Sequence, residues 1–366
     1  MKFARKIIAA AMTLITSITT SAVFAKPLES TIMKRLPVEV TDTGGTLIFS
    51  DSPEYVTRNG ILYTDVVTGE ARILFYHLNN SGVKKKLAVI VENLSTRETV
   101  INITRGGFSA PNDNFLLVGK ETQLKYMQNN FHDKIKLGKR EAKLFQANMD
   151  KVTVNPGHLV YGVYDFNTKG LVRVYVLMYP EKADPLKFLN YAEILPKDEY
   201  KLRGTFKNMN RNIRLKHDYD SSRDGIGYIL ICDSVTDFFK RGIDATDGSE
   251  VVNFGNYGVN YIFNFNMKSK TKFCLTPLGG TYAGAVRFYH GKKSGTIPTP
   301  KGKIYFGDRF FPETELTKKA REEGISLWTN YTESSELGSY SGKITFEYSP
   351  PGASNLPVNI VLIPDS

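Results

Sequence analysis

Apolar residues in this chain recur mainly at every second position. The clearest run is Val259, Tyr261, Phe263 and Phe265, with Asn260, Asn264 and Asn266 among the residues between and after them. A period of two sends alternate side chains to opposite faces, the pattern of a half-buried strand. The polar Lys268–Lys272 link then reads as a reversal, with Phe273–Leu275 as the return. Gly60–Val67 and Arg72–Asn79 flank Thr68-Gly69-Glu70 as the arms of a hairpin would. Leu87–Asn93 and Thr99–Thr104 make a second pair across Ser95–Glu98. Leu159–Phe166 and Leu171–Tyr179 make a third across Asn167–Gly170, and Gly106-Gly107 breaks the series between them. Two stretches switch to helical spacing. Lys120–Asn130 brings Leu124 and Met127 to one face with Glu121 in the first turn, and Thr314–Glu323 has a capping threonine and Gly324 at its exit.

Shorter strands are predicted at Ala142–Ala147 and Val152–Val154. After Arg203 they follow at Ile213–Lys216, Gly227–Cys232, Val251–Phe254, Ala285–Tyr289, Ile325–Tyr331, Lys343–Tyr348 and Val358–Ile363, with a Gly/Pro/Lys-rich loop over Gly291–Lys303. Alternation stops at Tyr179, and Tyr179–Pro185 holds two prolines with no apolar period. The expected fold is all-β: two antiparallel β-sandwiches, immunoglobulin-like or jelly-roll-like, with one or two short helices. Residues 40–180 form the first, 181–202 a linker and 203–366 the second; each has enough chain for its own core. The pair Leu87–Asn93 and Thr99–Thr104 resembles the second and third strands of immunoglobulin-like modules.

The chain opens as an export signal would. Lys2, Arg5 and Lys6 precede a mostly apolar Ile7–Ile18 stretch, and Val23-Phe24-Ala25 suits a signal peptidase. Residues 1–25 are therefore expected to be removed, giving an exported (periplasmic, cell-surface or secreted) protein without a transmembrane anchor. The formal charge of +11 falls to about +8 without that leader. A scattered basic surface reads either as ordinary solvated charge or as attraction to an anionic envelope polymer or glycan. No Lys/Arg block or recognisable module points to nucleic acid. Cys232 and Cys274 either join in an oxidising compartment, closing a loop worth about 4 kcal/mol, or stay as two buried thiols on neighbouring strands.

Several separated motifs keep an order that resembles one known group. They are Gly60-Ile61-Leu62-Tyr63, Val118-Gly119-Lys120, Arg203-Gly204-Thr205-Phe206, Gly242–Gly248, Gly255-Asn256-Tyr257-Gly258-Val259 and Pro350–Val358. The chain is similar to exported bacterial proteins labelled for a copper amine oxidase N-terminal-like domain that some members carry. The resemblance implies a two-part β-rich envelope or secreted protein with no established activity, and the short stalk domain is missing here. Copper amine oxidase chemistry is not expected. It needs a tyrosine in Asn-Tyr-Asp/Glu and a His-x-His pair, whereas Gly258, Thr332 and Ala192 follow the three Asn-Tyr pairs. His77, His132, His158, His217 and His290 all stand apart.

The remaining constellations are weaker. Asp244, Asp247 and Glu250 gather before a strand; Asp247-Gly248 is turn chemistry, and the alternative is a loop that holds a cation or polar ligand. His217–Gly225 carries spaced acids but has neither the glycine nor the twelfth-position acid of a calcium loop. Gly338-Ser339-Tyr340-Ser341-Gly342 is a turn, not a nucleophile elbow. Tyr257, Tyr261 and Phe263 form either sheet packing or a sugar-stacking face. The expected binding residues are Asp244, Asp247, Asn256 and Tyr257, with no catalytic residue, metal or cofactor assigned. The expected function is a non-catalytic envelope-associated or secreted binding or structural protein; the alternative is a glycan-active enzyme or carbohydrate-binding module, which as an enzyme needs two acids in a cleft.

Overall fold

The computed structural model of the chain describes residues 31–308, 314–328 and 333–365. The leader expected at residues 1–25 and the end of the strand expected at Ile325–Tyr331 lie outside the described residues. Alternating patterning forms strands as expected, but the strands run through the places where reversals were predicted. Gly60–Asn79 is one strand of 20 residues and Leu159–Pro180 one of 22. They pair antiparallel with each other, from Leu78 opposite Leu159 to Gly60 opposite Met178. Gly69, with φ 75°, and Thr168–Gly170 sit at an irregularity in this ladder, where the register shifts between Thr168 and Val172. Turn-type residues make a bulge here, not a reversal. Likewise Asn260–Pro277 continues through Lys268–Lys272 and pairs with Ser335–Tyr348, shifting register between Met267 and Thr271. The second expected pair also dissolves. Lys85–Asn93 and Thr99–Phe108 each pair with a successive part of Leu159–Pro180.

The protein is all-β and sandwich-like, built on open sheets. Among the described residues one large sheet runs from Ala142–Leu144 through Lys85–Asn93, Leu159–Pro180, Gly60–Asn79 and Thr46–Ser50 to Arg203–Phe206, Arg241–Ile243 and Glu250–Val252. The other runs from Gly227–Ile231 through Val358–Pro364, Asn260–Pro277 and Ser335–Tyr348 to Gly284–His290 and Lys293–Thr299; Val38–Thr43 joins it through Asn210–Leu215. Most pairs are antiparallel, but Thr46–Ser50 runs parallel to Gly60–Asn79, and Asn210–Leu215 parallel to Asn260–Pro277. Each sheet takes strands from both sides of residues 181–202. That segment itself contains a short helix, Pro185–Leu189, capped by Asp184 and anchored by Phe188 against Tyr179. The Lys293–Thr299 strand replaces part of the loop expected there.

The alternation of Thr46–Ser50 shows how the layers lock. Leu47 and Phe49 join Leu74, Tyr161, Tyr261 and Phe346 in the core between the sheets, while Ile48 joins Ile73, Phe75 and Val89 in a second core on the opposite face. Each such side chain fully buried contributes roughly 1.5–3 kcal/mol, so this region of the first sheet is covered on both sides. The helix spans Phe115–Gln128, five residues earlier than expected, because Asn114 Oδ1 accepts from the Leu117 N–H and fixes its start. Glu121 consequently lies inside the helix. Tyr261 and Phe263 stack at 6.2 Å within the core, which removes them as a sugar-stacking face.

A buried polar network ties the layers together. Arg72, 1 % exposed, donates to both oxygens of Asp165 at 2.6 and 2.9 Å. It also donates to the carbonyls of Met209 and Gly258 at 2.8 and 2.9 Å and to Asn210 Oδ1 at 3.1 Å. The Tyr126 hydroxyl on the helix lies 3.0 Å from each Asp165 oxygen. Arg105 lies over the Tyr126 ring at 4.0 Å and reaches Glu347 of the second sheet at 2.7 Å. The two cysteines are free and buried. Cys274 is opposite Val361, and the Val358–Pro364 strand separates it from the Gly227–Ile231 strand that leads to Cys232. Two strand spacings are about 9–10 Å, beyond the usual disulfide reach. The cross-link considered from the sequence is therefore not formed, and the thiols are not on neighbouring strands.

Candidate functional site

Three of the four sequence-derived binding residues are fastened to the protein itself. Asp244, 1 % exposed, pairs with Arg203 Nε at 2.9 Å and accepts from the Thr246 N–H and hydroxyl at 2.9 and 2.6 Å. Asp247 takes Lys197 at 2.7 Å and both Ser249 donors, so its carboxyl is held well below the usual range by those hydrogen bonds. Arg203 continues to the carbonyls of Leu62 and Leu195, making the Asp244–Asp247 loop a brace between chain segments. Asn256 is buried at φ 54°, accepts from the Lys240 N–H and donates to the Tyr261 hydroxyl. The acids of His217–Gly225 are also used locally: Asp218 meets Lys268, Asp224 meets Arg223, and Asp220 caps the short Ser221–Asp224 helix.

Tyr257 is different. It is half-buried, donates its hydroxyl to the Ser354 carbonyl at 3.0 Å, and lines a cleft of about 230 Å³ at the junction of the two sheets. Phe49, Leu74 and Tyr76 come from the first sheet; Tyr257 and the Gly352–Asn355 loop come from the second half of the chain. Gly352 permits this closeness, since a Cβ there would lie 2.7 Å from the Tyr76 ring. Asp51 and Glu54 complete the lining. Two of the motifs quoted above, Gly255–Val259 and Pro350–Val358, thus meet at one place.

The acid-bearing turn is held on both flanks. Asp198 accepts from the Ser52 hydroxyl and the Glu54 N–H, both at 2.8 Å. On the other flank His77, wholly buried, lies 2.9 Å from both Ser50 Oγ and the Pro53 carbonyl. Burial pushes the His77 pKa down to about 4, so the ring is neutral at pH 7. The Pro53 carbonyl can only accept, which places the ring proton on Nδ1 and leaves Nε2 to accept from Ser50.

Held this way, the two carboxyls have no counter-ion among the described residues. Neither side chain makes a hydrogen bond or ion pair among the described residues, and Asp51 Oδ1 is a buried oxygen without a partner. Burial, then the charges of Glu54 and Asp198, raise the Asp51 pKa well above its ordinary value; burial and Asp198 raise that of Glu54. Tyr76 is pushed up by burial and by the same two acids, which marks how near it lies to them. The sequence signal for this site was Asp51-Ser52-Pro53-Glu54 at the end of a strand, a pattern that turn chemistry explains fully. Only the packing of Tyr76, Tyr257 and the 352–355 loop around it makes it a cleft.

No protein-family model matches the chain, and no curated protein matches it either. Among solved structures the chain is similar to a xanthan lyase from Paenibacillus, with 9 % identity and a TM-score of 0.17 over 90 % of this chain and 26 % of that one. The chain thus spans about a quarter of that enzyme. It is also similar to vicilin from Solanum lycopersicum (tomato), at 11 % identity and a TM-score of 0.15 over 86 % and 84 % of the two chains. A third is the Macrobrachium rosenbergii nodavirus, at 9 % identity and a TM-score of 0.12 over 99 % and 96 %. Similarity at this level carries no functional argument, and the reading of the cleft rests on its own geometry.

Proposed function

We propose that the protein is an exported, non-catalytic binding protein whose cleft between the sheets takes an organic ammonium group. The observation that carries this is the uncompensated pair Asp51 and Glu54 in a chain of formal charge +11. Asp51 and Glu54 are half-buried; carboxyls partly withdrawn from water without a counter-ion are costly, and an arriving cation relieves that cost. The rings of Tyr76 and Tyr257 in the same lining suit an ammonium flanked by apolar carbon. The volume accommodates about one sugar ring or a short amine. A polymer that bears both anionic groups and amines meets the basic surface and the acidic cleft together, in keeping with the envelope setting that the leader and the family resemblance imply.

Hydrolysis of a glycan fits the cleft less well. Glycosidase acids flank the scissile bond, whereas Asp51 and Glu54 come from one four-residue turn and, among the described residues, no third acid lines the cleft. The test is calorimetry at neutral pH with glucosamine and ethanolamine against glucose and ethylene glycol. The amines should bind at least about tenfold more tightly than their neutral counterparts, and Asp51→Asn should abolish the preference. Equal affinity for amine and neutral partner removes the proposal.

A further inference from the structure

A second cleft, of about 350 Å³, opens between Gly106–Phe108, the end of the Phe115–Gln128 helix and the Gln146–Asn148 segment. Its chemistry is the opposite of the first. Gln128, Asn130, Gln146 and Asn148 place four amides around the rings of Phe131 and Tyr164, and among the described residues no carboxylate lines it. Lys125, the one cation in the lining among the described residues, donates to the Phe108 carbonyl at 2.9 Å. Gly106 lets the two rings approach, since a Cβ there would meet the Tyr164 ring at 2.4 Å and the Phe131 ring at 3.0 Å. The rings pack edge to face at 5.9 Å. The Thr99–Phe108 strand runs through Gly106-Gly107, where the sequence suggested a break, and Gly106 there makes room for these rings.

One side chain in this cleft is unfinished. Gln146 is 8 % exposed, and its Nε2 makes no hydrogen bond among the described residues. Buried amide donors are rarely left so. The Tyr164 hydroxyl likewise has no partner among the described residues, and burial raises its pKa, keeping it a neutral phenol. Amides and a phenol each offer both a donor and an acceptor without net charge. That set matches hydroxyl groups around the rim of a ring whose face is carbon and hydrogen, and the exposed part of an aromatic side chain matches the face.

We propose that this cleft binds a neutral pyranose unit of a glycan, with its C–H face on Phe131 and its hydroxyls on Gln146, Gln128, Asn130 and Asn148. The site is separate from the acidic cleft and does not depend on its reading. The test is titration of the full mature chain with cellohexaose, xylohexaose, maltohexaose and N-acetylchitohexaose, with pentagalacturonate as the charged control. At least one neutral oligosaccharide should bind with a Kd of about 0.01–1 mM. Its affinity should stay constant between about 50 and 500 mM NaCl, because no ion pair forms. Phe131→Ala and Gln146→Met should each weaken binding at least about tenfold. Gln146→Met preserves shape and removes an unpaired donor, so its thermal midpoint should not fall, and Asp51→Asn should leave saccharide affinity unchanged. Four outcomes overturn the proposal: no neutral oligosaccharide binds, only pentagalacturonate binds in a salt-sensitive way, affinity survives both cleft substitutions, or affinity is lost in Asp51→Asn.

Discussion

Replacing Arg72 by Met tests whether the buried network joins the layers that form the acidic cleft. The substitution keeps much of the side-chain volume and removes five hydrogen bonds: two to Asp165, and one each to Met209, Gly258 and Asn210. Asp165, whose side chain is 13 % exposed, would keep the Tyr126 hydroxyl and lose its cation. Breaking one partner out of a buried ion pair costs about 3–5 kcal/mol. Two backbone carbonyls losing a donor push the value to the upper end of that range. Set against a typical total of about 5–15 kcal/mol, this is a large fraction of the stability. Urea denaturation followed by far-ultraviolet circular dichroism at pH 7 measures it. Pairing Arg72→Met with Asp165→Leu should recover much of the loss. A loss below about 1 kcal/mol for Arg72→Met would refute the reasoning.

Three further outcomes are expected. Asp51→Asn should stabilise the ligand-free protein near neutral pH and not near pH 3. The native carboxyl holds its proton longer than the unfolded one, so the wild type loses stability as pH rises above the unfolded pKa, by about 1.4 kcal/mol for each unit of upward shift; a lower melting temperature for the variant at pH 8 contradicts this. Because both sheets span residues 181–202, a single proteolytic nick there should leave fragments that stay associated and melt in one transition, and fragments that separate while each keeps its strand content would disprove the interlock. Native protein should resist alkylation at both cysteines, since burial raises Cys274 to about 11 and Cys232 well above its ordinary value; after unfolding without reductant both should alkylate, and failure to do so would reveal a disulfide.

The strands of this fold were legible because alternation is local, and the all-β class followed from it. Strand partners were not legible. Thr68-Gly69-Glu70 and Lys268–Lys272 carry residues that serve a reversal and a bulge equally well, and only the register between distant strands separates the two. The helix boundary was displaced because Asn114 outranked the later spacing signal as a cap. At the sites, acids that stood out in the sequence, Asp244 and Asp247, are answered by Arg203 and Lys197 from elsewhere in the chain. The acids that stand unanswered, Asp51 and Glu54, sit in an unremarkable turn. Tyr257 was legible as a candidate because it lies in the Gly255–Val259 motif, but its partners Tyr76 and Ser354 are 181 and 97 positions away.

Amine binding in the cleft depends most on Asp51 as a carboxyl waiting for a cation. Its side-chain carbon can be followed by ¹³C NMR through a pH titration, first alone and then with saturating glucosamine. Alone, the carboxyl should titrate well above the ordinary aspartate range, because burial and the neighbouring acids oppose its charge. With the amine bound, the ammonium favours the ionised form, so the midpoint should move down and amine affinity should rise with pH across the same interval. An Asp51 midpoint that does not move when glucosamine is added, or an affinity that does not depend on its ionisation, would contradict the assignment of this cleft.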